Sequence, residues 1–169
     1  RIEVSDALVR INHGSNHVGT FDLADCVMEF EQAVTLGGEG EIIFGGDQNA
    51  NKVVLPYDDV LTIGAGLIVR TGTQGVQFGE IGTYDSGGLI NEGTIRSQTI
   101  GKSITIDMAS LENIGMLSAT NGGTLDIRTP EWGNDGNIHL DAGTVIVTGS
   151  SFTNNAAGII DGTGTLDVS

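Results

Sequence analysis

"LINEGTIRS", running from Leu89 to Ser97, decides how the rest of the chain is read, because it recurs. Anchored on Leu89, the phrase returns at Leu111, Trp132 and Phe152. Two residues after each anchor stands an asparagine: Asn91, Asn113, Asn134 and Asn154. A glycine (Gly93, Gly115, Gly136, Gly158) then precedes by two positions an aliphatic residue (Ile95, Leu117, Ile138, Ile160), with Ala156 and Ala157 read as an insertion in the last copy. The second half of the phrase repeats too. Ser103-Ile104-Thr105-Ile106, Thr124-Leu125-Asp126-Ile127, Thr144-Val145-Ile146-Val147 and Thr165-Leu166-Asp167-Val168 superpose as hydroxyl, apolar, variable, apolar. The link from this half to the next anchor has constant length, whereas the link between the halves shortens copy by copy. One corner is therefore fixed and the other tolerates length change.

A period of 20 to 22 residues with two-residue alternation inside it specifies short strands. No single unit carries enough inward apolar side chains for a core, but stacked units do. Strands of successive coils pairing about 4.8 Å apart pile equivalent aliphatics into continuous interior columns. The expected fold is all-β, a right-handed parallel β-helix (β-solenoid) of roughly seven coils and about 20–27 residues per coil, forming a rod on the order of 35 Å long. A single domain, 1–169, is expected in three parts. Residues 1–32 are the irregular or capping part, where "FDLADCVMEFEQ" reads as a strand pair or a short capping helix. Residues 33–88 form wider coils, and 89–169 the regular ones. In the wider part Val34, Leu36, Ile42 and Phe44 flank a glycine corner, Leu61 and Ile63 are aligned with Leu125 and Ile127, and Leu67 and Val69 open another strand.

Composition narrows the partners. The chain carries 22 acidic and 7 basic residues, a formal charge of −15, and its lysines are Lys52 and Lys102. A field of that sign repels nucleic acid and anionic membranes and favours solubility, divalent cations or basic partners. The 27 glycines work against helices, since each costs about 1 kcal/mol relative to Ala in a helix interior. A single cysteine, Cys26, rules out an internal disulfide and is expected to be buried. No apolar run approaches the roughly 18 residues of a helical membrane span, so membrane insertion is not expected. The chain opens on Arg1 without an apolar leader, which leaves a removed export signal and an excised segment both open.

With "GGLINEGTIRS", "LENIGMLSATNGGTLDI" and "LTIGAGLIVRTG" in view, the chain resembles bacterial surface and secreted β-helical repeat proteins of the filamentous-haemagglutinin-like adhesin or autotransporter-passenger type, over about Val34 to Ser169. The resemblance implies a generally non-enzymatic right-handed β-helix displayed outside the cell, in adhesive, envelope or fibre roles. One departure is that no polar cap follows Val168, which points to a segment of a longer solenoid or a subunit that stacks end to end.

Candidate chemistry is sparse. The Asn91, Asn113, Asn134 and Asn154 column is expected to be a structural ladder in which side-chain amides satisfy one another and the corner backbone; a ligand site is the other reading. Ser103, Thr124, Thr144 and Thr165 form a hydroxyl row beside the core. An ice-ordering surface would need a second matched row, and the sequence shows one. Leu89, Leu111, Trp132 and Phe152 are core anchors. Asp126 and Asp167 alternate with Thr105 and Ile146 in one outward column, with Asp107 just beyond it, so adjacent coils do not both offer the carboxylates that a Ca²⁺ cage needs. Asp47 with Asp58 and Asp59 is the best local acidic cluster, a surface loop or a weak Ca²⁺ site. His13 and His17 in "HGSNH" have metal spacing only on a helix, and Gly14 and Ser15 argue for a loop. His139, flanked by Ile138 and Leu140, is expected to face outward. A glycosidase needs two carboxylates about 5–9.5 Å apart in a groove. Short loops and few bases argue against one, and no catalytic residues are assigned.

The expected function is that of a non-catalytic, extracellular or cell-surface structural or adhesive segment, associating with itself or with neighbouring solenoid segments through its terminal coils. Any recognition is expected on the variable corner (Gln98 to Lys102, Ala119 to Gly122) or the wider coils. The competing expectation is a carbohydrate-binding or carbohydrate-cleaving β-helix, which an aromatic-lined groove would favour.

Overall fold

The computed structural model describes residues 2–5, 7–11, 15–46, 51–55, 58–73, 78–82 and 87–169, with the backbone alone described at 15–17. All described secondary structure is strand or turn, wound as a parallel β-solenoid of about seven turns of roughly 21 residues. The opening part-turn is β1 (Ile2–Ser5) and β2 (Leu8–Ile11). Two turns follow in which one long strand spans two faces: β3 (Ser15–Ala24) with β4 (Val27–Phe30), then β5 (Val34–Phe44) with β6 (Lys52–Val54). The remaining turns have three strands each. They are β7 (Val60–Ile63), β8 (Leu67–Thr71) and β9 (Phe78–Gly82), then β10 (Gly88–Asn91), β11 (Thr94–Ser97) and β12 (Ser103–Asp107). Next come β13 (Ser110–Asn113), β14 (Met116–Thr120) and β15 (Thr124–Ile127), followed by β16 (Glu131–Asn134), β17 (Asn137–Asp141) and β18 (Thr144–Val147). The last turn is β19 (Ser151–Asn154), β20 (Ile159–Gly162) and β21 (Thr165–Val168).

Three faces result. The first and second form one 13-stranded sheet folded across β5, which pairs with both β7 and β8; the third is a separate sheet of 8 strands, β2-β4-β6-β9-β12-β15-β18-β21. The stretch "FDLADCVMEFEQ" contributes to β3 and β4 and contains no helix.

Alternation within each strand turns one residue of each pair inward, and parallel register stacks it on its equivalent. On the third face Met28, Val53, Ile81, Ile106, Ile127 and Val147 form one buried column. On the second, Ile42, Val69, Ile95, Leu117 and Ile138 do the same. Full burial of each such aliphatic stabilises the fold by about 1.5–3 kcal/mol. Cys26 is buried, its thiol donating to the Val4 carbonyl at 3.0 Å.

The register corrects one sequence alignment. Leu61 pairs with Leu89 and Ile63 with Asn91, so both lie on the first face and not beside Leu125 and Ile127. An apolar-x-apolar strand fits either face by pattern alone. Only the column it joins separates them. The wider coils are real: Val34 pairs with Leu61, 27 residues on, whereas Ser110 pairs with Glu131, 21 residues on.

The recurrent glycine of the phrase and its shortening link each meet a backbone constraint. At the first corner a Cβ on Gly136 would lie 2.1 Å from the Gly115 carbonyl oxygen, so successive corners are in backbone contact and only glycine fits. At the shortening corner the chain turns through left-handed residues, Asn121 at φ 52° and then, one turn on, Ala142 at φ 54°. Left-handed backbone costs an L residue about 1–2 kcal/mol.

Gly136→Ala is therefore expected to lower unfolding stability by about 1–3 kcal/mol, and Ala142→Gly to raise it by up to about 1 kcal/mol. Urea unfolding followed by circular dichroism checks both, as shifts of midpoint at unchanged slope.

Candidate functional site

The asparagine column lies at the end of the first-face strands, where the chain enters the glycine corner that leads to the second face. Asn91 Nδ2 donates to Asn113 Oδ1 at 2.7 Å, Asn113 Nδ2 to Asn134 Oδ1 at 2.6 Å, and Asn134 Nδ2 to Asn154 Oδ1 at 2.7 Å. The same nitrogens reach the corner backbone: Asn91 donates to the Met116 carbonyl at 3.2 Å and Asn113 to that of Asn137 at 3.4 Å. Asn91, Asn113 and Asn134 have no exposed surface, so no ligand reaches them. Their geometry is that of a corner clamp. The column changes character upstream, where Leu36 and Ile63 occupy it, and Asn91 Oδ1 is left buried without a hydrogen-bond partner.

The anchors stack in the neighbouring interior column. Leu89, Leu111 and Trp132 are buried, and Trp132 stacks on Phe152 with ring centroids 4.2 Å apart. Phe152, in the last described turn, is half-buried because among the described residues no further turn lies on its other side. Two hydroxyl contacts that sequence reading did not anticipate line the second corner. Thr71 Oγ1 accepts from the Gln98 backbone N–H at 3.0 Å, and Ser97 Oγ donates to the Lys102 carbonyl at 3.1 Å. Lys102 is buried there, and burial pulls its ammonium below the usual lysine pKa.

Ser103, Thr124, Thr144 and Thr165 pair in register along an outward column of the third face, headed by Phe78. Beside them runs the outward column Lys52, Glu80, Thr105, Asp126, Ile146, Asp167. Lys52 Nζ pairs with Glu80 at 2.7 Å, and Arg128 Nη2 with Asp126 at 2.8 Å. These side chains border a groove of about 290 Å³ that also takes in Phe78, Ser103, Thr105 and Asp107. A second groove, of about 380 Å³, lies on the second face beside Asp22, Glu41, Gly45 and Arg70, with Arg70 paired to Glu41 at 2.8 Å. The sequence signals neither groove, because their walls come from residues 21 to 28 positions apart that only the register unites.

Of the acidic cluster, Asp58 is exposed and Asp59 half-buried, and Asp47 lies outside the described residues. His13 and the side chain of His17 also lie outside them. Among the described residues no group of three His, Cys, Asp or Glu side chains is placed to hold a metal ion. His139 sits in an outward column and pairs with Asp161 of the next turn.

Asn113→Leu leaves Asn134 Oδ1 without its donor in a dry corner and is expected to cost about 2–4 kcal/mol, whereas Asn154→Leu, at the exposed end of the ladder, should cost under about 1 kcal/mol. Equal losses in denaturant titration would show that the ladder does not hold the corner. No family model, curated protein or solved structure matches this chain.

Proposed function

We propose that this chain is a non-catalytic structural or adhesive solenoid segment, displayed outside the cell or on its surface, that joins further turns end to end. The observation that carries this reading is the last described turn. Phe152, Ile160, Leu166 and Val168 continue the interior columns of the core, yet Ile160 is 38% and Val168 56% exposed. Strands β19, β20 and β21 pair on one side only among the described residues. An apolar column with an unpaired strand edge is a template for another turn of the same pattern, whether from a second copy or from a neighbouring solenoid segment. The remainder of the rod supports a mechanical role: its asparagine amides are spent on one another, and the corners of the turns from β10 onward are short. An acidic surface of −15 keeps the sides of such rods apart and so favours joining at the ends.

A carbohydrate-binding role is the second reading, and the third-face groove favours it because an aromatic side chain stands there outside the core.

Sedimentation velocity across a concentration series, with negative-stain electron microscopy, tests the first reading. Concentration-dependent elongated species are expected, with Ile160→Asp shifting them to monomer while leaving most of the circular dichroism intact, since a repeat array tolerates a change in its last unit. Monomers at every concentration would refute end-to-end joining.

A further inference from the structure

We propose that the third face carries a binding notch for an uncharged sugar residue, floored by Ser103 and Thr105 and walled by Phe78, the Lys52–Glu80 pair and the Asp126–Arg128 pair. The notch lies on the side of the rod, so it stands apart from end-to-end joining.

Its shape follows from register. Outward residues of β9, of β12 and of β15 with Arg128 just beyond it form three rows: Phe78 and Glu80; Ser103, Thr105 and Asp107; Thr124, Asp126 and Arg128. Rows are about 4.8 Å apart and outward neighbours within a row about 6.6 Å. The middle row ends in two short hydroxyl side chains, between rows that carry a phenyl ring, carboxylates and a guanidinium. The result is a recess whose walls stand on strands two spacings, about 9.6 Å, apart backbone to backbone, leaving between the wall side chains a gap of the order of one pyranose ring. Its volume of about 290 Å³ falls at the small end of ligand clefts.

The chemistry of the walls selects the ligand. Phe21, Phe30, Phe44, Trp132 and Phe152 all belong to the core or pack against it; Phe78 is the described aromatic residue that does not. A half-exposed ring gives the C–H face of a sugar an apolar platform. Lys52 and Arg128 are engaged with Glu80 and Asp126, Arg128 through Nε at 2.9 Å and Nη2 at 2.8 Å to the same oxygen, Asp126 Oδ2. That holds these polar groups in fixed positions and leaves Asp126 Oδ1 able to accept from a sugar hydroxyl. Asp107 pairs with no base among the described residues and offers a second carboxylate acceptor at the edge of the notch. Three acids against two bases give the notch a net negative charge inside a −15 chain, which turns away uronic and sialic acids.

The test is saturation-transfer NMR and calorimetric titration of the whole chain with cellohexaose, maltohexaose and chitohexaose, beside a galacturonate hexamer. At least one neutral hexasaccharide is expected to bind with Kd on the order of 0.1–1 mM, and the galacturonate hexamer more weakly. Phe78→Ala should weaken binding at least tenfold. Thr105→Tyr fills the recess without removing any wall group and should abolish it, so the test holds even if Phe78→Ala unfolds the chain. Absence of neutral-sugar binding, binding undiminished in Thr105→Tyr, or preference for the galacturonate hexamer would each overturn the proposal.

Discussion

In-register parallel stacking is the constraint on which everything else in this molecule depends. When a strand sits about 4.8 Å above its equivalent, each side chain touches the corresponding side chain of the next turn. Every column must therefore be compatible with itself. Aliphatics satisfy this by packing, as in the Ile81, Ile106, Ile127 and Val147 column. Asparagine satisfies it in another way, because a carboxamide carries a donor and an acceptor on opposite sides and can serve both neighbours at once. Among buried polar side chains that is a rare property, since an aspartate in the same column would set acceptor against acceptor.

The same constraint explains what composition alone left puzzling. Glycines recur because corners of adjacent turns come into backbone contact, as Gly115 and Gly136 do, and not because the chain is loose. On outward columns Lys52 and Glu80, or Glu41 and Arg70, alternate sign between successive turns and so turn a repulsive stack into an attractive one. The turns therefore set a rule for surface side chains as well as for the core.

How much of this was legible beforehand follows from the same logic. The regular turns could be read because their period is constant, and the Asn91 to Asn154 column marks one face in every turn. The wider turns could not be phased. Leu61 and Ile63 have the same apolar spacing as Leu125 and Ile127, and where the column carries Ile63 the asparagine marker is missing. The end of the chain that reads as irregular is built from the same ladders, but β3 and β5 each span two faces without a break, so the corner signal is hidden inside a strand. The third-face groove was invisible for a different reason. Phe78 carries no distinguishing mark in the sequence; it becomes an outward residue only once Gly79 is seen to leave room beneath it for the Phe44 ring.

The amide column has one more consequence. Each carboxamide in it points the same way, nitrogen toward the later turn and oxygen toward the earlier one. Their dipoles add along the rod, as peptide dipoles add along a helix. At the early pole the series stops on the unanswered oxygen of Asn91 beneath Ile63, and at the late pole Asn154 turns its nitrogen back to the Gly158 carbonyl. The molecule is a vector. A two-fold axis across its tip would bring like poles together, nitrogen to nitrogen, so symmetry of that kind is disfavoured and any growth along the axis keeps one direction throughout.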